Sequence, residues 1–287
     1  SYKVKRFFLG GALNRHSLSH QRLSKRYALG ILSSDCISSS AYGSEQILIA
    51  LLPAFGLAAF AILMPMTAVV LAILVLITLS YRNVIDVYTK TGGAYIVSRD
   101  NFGPVVAQIA AVALMLDYIV TVAIQSAAGV AAIISTFPSL EPGKMYMIFG
   151  VIALLTFGNL RGVKEAGKAF AMPTYFFVGC MFIVFGMGLY RLANGTLPVL
   201  DTNLPGAVHV GEAQGLLTFS AIFILLRAFA NGGSSLTGLE AISDGVALFK
   251  TPEHVNAKRT LVVMSTLLGT LVLGVSYFAH HIHAMPY

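Results

Sequence analysis

Charged residues are scarce in this 287-residue sequence: Asp, Glu, Lys and Arg together make up 11% of it, against roughly 25% in soluble proteins. Hydrophobic residues make up 56% and the mean hydropathy is +0.78, so the chain has too few polar groups to cover a water-facing surface. The apolar residues stand in long blocks, which excludes an ordinary cytosolic enzyme and a disordered or fibrous protein. The expected solvent is a lipid bilayer.

Cysteine is also rare. The two cysteines, Cys36 and Cys180, lie within apolar stretches and cannot form a disulfide framework. An intramembrane enzyme would need a nucleophile with a base, or a metal pair, within the apolar blocks, and none is spaced for it. We therefore expect neither an enzyme nor a bound cofactor.

Seven apolar blocks approach or exceed the length that crosses a bilayer, about 20 residues for roughly 30 Å of hydrocarbon. The fourth block is short for a full crossing, and the sixth is long enough to contain a break. We therefore predict an all-α integral membrane protein with seven transmembrane helices. The blocks are Ala28–Ala54, Leu57–Ser80, Pro104–Ser135, Met145–Leu160, Ala171–Tyr190, Leu216–Leu248 and Thr260–His280.

Lysine and arginine are distributed unevenly between the two sides that these blocks define. Residues 1–27 form a basic arm without an acidic residue, and this arm and the loops on its side hold 16 Lys and Arg, against two, Lys144 and Arg191, on the opposite side. Because this bias sets orientation, we expect a cytoplasmic N-terminal arm and a multi-pass transporter domain over residues 28–287 in the inner (plasma) membrane. The net charge of +7 is then explained by the orientation of the chain in the membrane. Membrane lipid is the expected partner, and nucleic acid is not.

The first and sixth blocks are each interrupted by small polar residues and glycine, over Ser33–Ser40 and Asn231–Gly238. Such residues offer the backbone alternatives to helical hydrogen bonds, so each helix is expected to unwind there. Open backbone at membrane depth is tolerated where it lines a cavity or is buried by protein. The two broken spans are five apart and cross in opposite directions, which indicates an inverted repeat with a site between the breaks.

Three acidic residues fall at membrane depth: Asp35 in the first break, Asp117 in the third block and Glu240 just after the second break. A charge at the bilayer centre costs roughly 3 kcal/mol, so these residues are candidates for an ion pathway or a proton relay. The alternative for Asp35 and Asp117 is a structural ion pair, for instance with Arg227, and for Glu240 it is a solvated position near the cytoplasmic mouth. Tyr42, seven residues after Asp35, is either a ligand or an aromatic packed in the bundle.

Polar side chains of the third block form one stripe. At 100° per residue, Asp117, Thr121, Gln125 and Tyr118 lie within one 100° arc, opposite a face of Ala, Val and Ile. Carboxylate, hydroxyl, amide and phenol oxygens suit a hard cation rather than zinc or copper. Asp35 also favours a cation, because its carboxylate would repel the carboxylate of an amino acid substrate.

Five segments, two of them in the breaks, match a known pattern: Leu23–Lys25, Ser33–Gly43, Gly92–Tyr95, Asn159–Val163 and Ser235–Ala241. In these segments the chain resembles the amino acid, polyamine and organocation (APC) superfamily of permeases, and most closely its KimA-type, KUP-related potassium importers. The resemblance covers nearly the whole chain. It implies a LeuT-like inverted-repeat fold and secondary active import of potassium ions coupled to protons.

The resemblance also implies roles for individual residues. It places a potassium site between the third span and the two breaks, and it puts Glu240 at the position associated with proton coupling. The chain differs from the family at Gln125, where a serine is expected, and at Cys36-Ile37, where Ala-Leu is frequent. The implied potassium ligands are Asp35, Tyr42, Asp117, Tyr118, Thr121 and Thr237, with Gln125 keeping its place in the stripe.

A LeuT-like core has five plus five spans, so we expect further spans after Tyr287 and then the family's cytoplasmic domain, through which a homodimer would form. The nearest alternative function is an amino acid or polyamine permease of the same superfamily, in which the first break is usually glycine-rich. A remote alternative is a seven-span receptor, which fits the number of blocks but places its N-terminus outside.

We predict that residues near Lys3 and Arg99 lie in the cytoplasm and that residues near Glu141 lie outside, because the Lys and Arg bias sets the orientation. A membrane-impermeant maleimide applied to intact cells should label a cysteine introduced beside Glu141 and leave cysteines beside Lys3 and Arg99 unlabelled. Labelling of the arm from the exterior would overturn the orientation and favour the receptor.

Overall fold

The computed structural model of the chain describes residues 22–89, 92–160, 163–202, 207–212, 215 and 218–286, with the backbone alone for residues 163–170. Within these ranges the chain is helical and contains no strand, while Leu23 and Phe249 form an isolated β-bridge. The prediction of an all-α protein is confirmed. Most of the predicted basic arm, residues 1–21, lies outside the described residues.

Long and short helices alternate along the chain. The α-helices are α1 (Lys25–Leu32), α2 (Ser34–Ser39), α3 (Gly43–Phe55), α4 (Ala58–Val87), α5 (Gly93–Phe102), α6 (Pro104–Thr136), α7 (Lys144–Leu160), α8 (Val163–Ala193), α9 (Phe219–Gly233), α10 (Glu240–Asp244) and α11 (Glu253–Ile282). Single stretches of 3-10 helix cover Pro138–Gly143, Ser234–Leu236 and Val246–Leu248.

The described residues divide into two compact units. The first unit comprises residues 22–32, 83–173 and 240–260, and the second comprises residues 33–82, 174–239 and 261–286. The first unit therefore holds α1, α5, α6, α7 and α10. The second unit holds α2, α3 and α9 together with most of α4, α8 and α11.

Six helical stretches among the described residues are long and apolar enough to cross a membrane, which makes this a multi-pass membrane protein. They correspond to the second through seventh predicted blocks. The first block has no continuous helix of that length, because it is divided into α1, α2 and α3. The uninterrupted stretches thus number six where seven transmembrane helices were predicted; they are Ala58–Val87, Pro104–Thr136, Pro138–Leu160, Ala171–Ala193, Phe219–Leu236 and Glu253–Ile282.

The first block is interrupted on both sides of the six-residue helix α2. The hydroxyls of Ser38 and Ser39 donate to the carbonyl oxygen of Asp35 at 2.8 and 3.0 Å. The hydroxyl of Ser40 donates to the carbonyl oxygen of Ile37 at 2.6 Å. Serine side chains thus add hydrogen bonds to backbone carbonyls at the break, and the carbonyl of Ile37 also accepts the backbone N–H of Ser40 at 3.2 Å. The predicted interruption of the first block is confirmed, but it lies at Ser33 and at residues 40–42. Ser34–Ser39, which was predicted to unwind, is helical because it forms α2.

The sixth block is interrupted after α9. The hydroxyls of Ser234 and Ser235 donate to backbone carbonyls three residues earlier, at 2.6 and 2.7 Å. Thr237 is extended, and Gly238 has a φ of +84°, a left-handed conformation that glycine adopts readily because it has no Cβ. The helix resumes only at α10, so the predicted break in this block is also confirmed.

In the first unit, α5 and α7 both pack against α6. The sequence predicted a loop where α5 lies. Gly103, with a φ of +86°, separates the two helices, and Pro104 occupies the first position of α6, where a helix needs no backbone N–H. These helices position Tyr118 and the other polar residues of the third block.

The segment before α1 is tied to the end of the sixth block within the first unit. The N–H of Leu23 donates to the carbonyl of Leu248 at 2.7 Å, and the N–H of Lys250 donates to the carbonyl of Leu23 at 3.1 Å. Arg22 forms an ion pair with Glu253 at the start of α11. These contacts anchor the described end of the basic arm.

The second unit is centred on α3, α4 and α9. Leu51, Phe55 and Phe60 are fully buried, and Ala221 and Ala228 of α9 belong to the same cluster. Small residues let helices approach closely in a membrane, where helix packing rather than exclusion from water drives association. The close packing of α3 and α9 brings the ends of the two broken blocks together.

Ser276 of α11 joins two other helices of the second unit through hydroxyl groups. It lies 2.7 Å from the hydroxyl of Ser44 in α3 and accepts a hydrogen bond of 2.8 Å from Thr67 in α4. All three side chains are buried. Such polar contacts between helices are worth about 0.6 to 2 kcal/mol in membranes, and these hold α3 in place directly after the first break.

We predict that Gly43→Ala destabilises the protein by about 1–3 kcal/mol, because a Cβ at Gly43 would lie 2.5 Å from the Cβ of Ser235. The thermal unfolding midpoint of the complete protein in detergent should fall. Gly179→Ala is the matched control in the same unit, since its Cβ would meet nothing within 4 Å. An unchanged midpoint for Gly43→Ala would contradict the close approach of the two breaks.

Candidate functional site

The two breaks meet within the second unit. A Cβ on Gly238 would lie 2.8 Å from Oδ2 of Asp35 and 2.9 Å from the backbone nitrogen of Cys36. Only a residue without a side chain leaves room there, so Gly238 both turns the chain and allows the first break to approach. The carboxylate of Asp35 consequently lies directly against the backbone of the second break.

Three hydroxyl groups connect the same breaks. The hydroxyl oxygen of Tyr42 lies 2.9 Å from Oγ of Ser39, and Oγ of Ser39 lies 3.4 Å from Oγ1 of Thr237. Ser39 is fully buried and Tyr42 is 9% exposed. The structure therefore brings together three residues predicted from the sequence, Asp35, Tyr42 and Thr237, and adds Ser39, which was not predicted. We call these four residues the break junction.

The oxygens of the break junction are those of one carboxylate, two aliphatic hydroxyls and one phenol. This chemistry suits a hard monovalent or divalent cation rather than a metal that prefers sulfur or imidazole. Among the described residues, no group of three or more His, Cys, Asp or Glu side chains is placed to hold a metal ion. A cation at the junction would therefore be bound mainly by neutral oxygens beside one negative charge.

The stripe predicted on the third block lies on α6 in the first unit, and its members differ in exposure. Asp117 is exposed, Tyr118 and Gln125 are half-buried, and Thr121 is buried. Of these four residues, Tyr118 lines a pocket of about 730 Å³ within the first unit. The other residues that line this pocket are mainly apolar. The ligand roles of all four residues remain predictions.

Asp244 also lines this pocket, and it was missed by the sequence analysis. The hydroxyl of Tyr118 donates to its Oδ2 at 3.1 Å. A Cβ on Gly93 would lie 1.7 Å from Oδ1, and the N–H of Gly92 donates to the Asp244 carbonyl at 3.3 Å. Two features of the sequence could have pointed to Asp244. It follows Glu240 by one helical turn, and a Gly-Gly pair, Gly92-Gly93, lies elsewhere in the chain.

Glu240 is the first residue of α10 and is half-buried. Its carbonyl accepts a hydrogen bond of 2.8 Å from the Ser243 hydroxyl. Arg227, the partner considered for a structural ion pair with Asp35 or Asp117, is exposed and forms no ion pair with any residue in the described ranges. That alternative has no support in the structure.

Helices of membrane length and two interrupted blocks whose breaks meet define a polytopic membrane protein of the permease type. The chain belongs to the amino acid permease family, whose model matches residues 28–284. This membership confirms the resemblance to the permease superfamily seen in the sequence.

A curated relative is the potassium transporter KimA of Bacillus subtilis (strain 168), with 39% identity over 287 residues. The match covers 99% of this chain and 46% of the relative. The chain thus spans about half the length of the curated relative that it matches.

We predict that Tyr118→Phe lowers the thermal unfolding midpoint of the complete protein, because it removes the hydrogen-bond donor of Asp244. Hydrogen bonds to charged groups contribute about 1.5–3 kcal/mol when buried, and partial exposure of this pair puts the expected loss at the lower end. Tyr95→Phe is the control, since Tyr95 lines the same pocket and its hydroxyl has no hydrogen bond to a described residue. Equal effects of the two substitutions would show that the Tyr118–Asp244 contact contributes nothing.

Proposed function

We propose that this chain is the core of a secondary active transporter that imports potassium ions together with protons. The observation that supports it most directly is the break junction, where Asp35, Tyr42 and Thr237 present a carboxylate and hydroxyl oxygens at adjoining helix breaks. The relative from Bacillus subtilis is a potassium transporter by name. Potassium is the substrate in this proposal, and no cofactor is required.

The junction favours a cation over an amino acid. Permeases that bind an amino acid need free backbone N–H groups at the first break for the substrate carboxylate. Here serine hydroxyls cap carbonyl groups of that break, and the carboxylate of Asp35 adds a negative charge. The same charge that attracts potassium would repel an amino acid carboxylate.

We infer that polar residues of the third span also serve as potassium ligands, as the sequence predicts. Asp117, Tyr118, Thr121 and Gln125 supply the ligands on the third span, with Asp35 and Asp117 as the charged pair. Breaks in the first and sixth spans, which run in opposite directions, support a LeuT-like inverted repeat of seven or more spans. We further propose an inner-membrane location with a cytoplasmic N-terminus, and a homodimer formed through a C-terminal domain.

An amino acid or polyamine permease is the second candidate, because the family model that matches the chain is that of amino acid permeases. The two functions are separated by transport assays in cells that lack their own potassium uptake. Growth of such cells at low potassium when the complete protein is expressed would support potassium import. Proton-driven uptake of an amino acid or a polyamine without potassium uptake would support the permease.

We predict that Asp35→Asn in the complete protein cripples potassium uptake. A unit charge about 4 Å from the ion is worth up to about 4 kcal/mol in an intermediate dielectric, so uptake of rubidium-86 as a tracer should fall by more than about tenfold. Asp100→Asn is the matched control, since it removes an exposed carboxylate from α5. Asp117→Asn should act like Asp35→Asn, and normal uptake by both variants would refute the proposed site.

We predict that Glu240→Gln retains potassium binding but abolishes uptake driven by an inward proton gradient. Glu240 lies one helical turn from Asp244 and directly after the second break, where it can serve both the site and the cytoplasmic mouth. Calorimetry on the complete protein measures binding, and tracer uptake into proteoliposomes with an imposed pH gradient measures coupling. Loss of binding as complete as that of Asp35→Asn would make Glu240 a ligand, and the proton carrier would then have to be another residue.

A further inference from the structure

Ser39 occupies the centre of the break junction, although neither the sequence pattern nor the comparison with relatives assigns it a role. Its Oγ is within 2.9 Å of the Tyr42 hydroxyl and 3.4 Å of Oγ1 of Thr237, so it links the two proposed ligands that come from different broken blocks. Its side chain is fully buried. A residue at this position can set the separation of the oxygens on either side of it.

Backbone carbonyls are available as acceptors for the hydrogens of two of these hydroxyls. The hydroxyl of Ser39 donates its single hydrogen to the carbonyl of Asp35 at 3.0 Å, and that of Thr237 donates to the carbonyl of Ser234 at 3.0 Å. Each hydroxyl has one hydrogen and two lone pairs, so donation to these carbonyls leaves lone pairs of Ser39 and Thr237 for the 3.4 Å contact between them. Tyr42 can then donate its hydrogen to Ser39.

With the hydrogens donated in this way, the two hydroxyl oxygens face each other through lone pairs and repel, and a cation to one side that contacts both oxygens removes the repulsion. The same orientation would be unfavourable for an anion, which needs hydrogens directed toward it. Asp35 lies at the same junction and contributes negative charge. The arrangement of hydrogens therefore matches a cation and would be unsuitable for a carboxylate.

We propose that Ser39 is a further potassium-binding residue, whose Oγ joins Tyr42 and Thr237 in contacting the ion. This inference rests on the proposed function and deepens it. Ser38 provides the comparison within the same helix, because its hydroxyl donates to the same Asp35 carbonyl at 2.8 Å. Unlike Ser39, Ser38 makes no hydrogen bond to Tyr42 or Thr237 among the described residues.

The test is potassium binding by calorimetry on the complete protein in detergent, with potassium chloride as titrant. Ser39→Ala should raise the Kd for potassium about tenfold, whereas Ser38→Ala should change it less than about twofold. Equal binding by both variants and the wild type would overturn the role of Ser39. Equal weakening in both would also overturn it, since the effect would then come from the shared hydrogen bond to Asp35.

Ser39→Cys keeps the size of the side chain and replaces the hard oxygen with sulfur, which prefers softer metal ions. Titration with thallium(I) nitrate and with potassium chloride should therefore show an increased ratio of thallium to potassium affinity in this variant. A merely structural role of Ser39 would leave the ratio unchanged, and that result would overturn the proposal even if Ser39→Ala fails to fold.

The wild-type protein distinguishes failure of this inference from failure of the proposed function. If the wild type binds potassium and the Ser39 variants bind it equally well with an unchanged thallium ratio, only the inference is wrong. If the wild type binds no potassium and instead binds an amino acid, the proposed function fails and the inference fails with it.

Discussion

Every backbone N–H and C=O group at membrane depth must find a hydrogen-bond partner inside the protein, because an unsatisfied group in hydrocarbon costs several kcal/mol. The two broken blocks meet this requirement with serine hydroxyls. Ser38, Ser39 and Ser40 bond to carbonyls of the first break, and Ser234 and Ser235 bond to carbonyls before the second. The serine-rich composition therefore both interrupts the helices and keeps the interruptions stable.

The same hydrogen bonds decide what the junction can bind. A hydroxyl that gives its hydrogen to a backbone carbonyl retains its lone pairs, so a break capped by serines presents oxygen acceptors to its surroundings. Gly43 and Gly238 have no side chains, so the two breaks approach closely. Asp35 of the first break then lies against Gly238, and Thr237 of the second break lies beside the hydroxyl of Ser39. Backbone capping thus supports the proposed preference for cations over anions.

Acidic residues on α10 differ in their surroundings despite being one turn apart. Asp244 is held by the Tyr118 hydroxyl and lies against Gly93, whereas Glu240 begins the helix directly after the break. A hydrogen-bonded carboxylate that positions α6 and a carboxylate beside the break are suited to different tasks. The first is suited to holding the first unit together, and the second is the residue proposed to carry a proton.

The apolar helices of the second to seventh blocks and the presence of an interruption in the first and sixth blocks could be predicted from the sequence, because each depends on residues close together in the chain. Length and hydropathy identify membrane helices, and runs of Ser33–Ser40 and Asn231–Gly238 disfavour helical hydrogen bonds locally. Helix α5 was missed because it is too short and polar to resemble a span. The stripe on α6 was correct as an angular relation, but helical periodicity alone does not say which neighbour covers each side chain.

Tertiary structure alone decided which of these residues meet. The contact of Ser39 with Thr237 joins positions 198 apart in sequence, and that of Tyr118 with Asp244 joins positions 126 apart. The exposure of Asp117 and the burial of Thr121, one turn apart on α6, likewise depend on what packs against the helix. Local sequence determined where the chain is helical and where it breaks, because propensity and hydrogen-bond competition act over a few residues. Packing between distant segments determined the junction, because close approach requires glycines and small side chains on both partners at once.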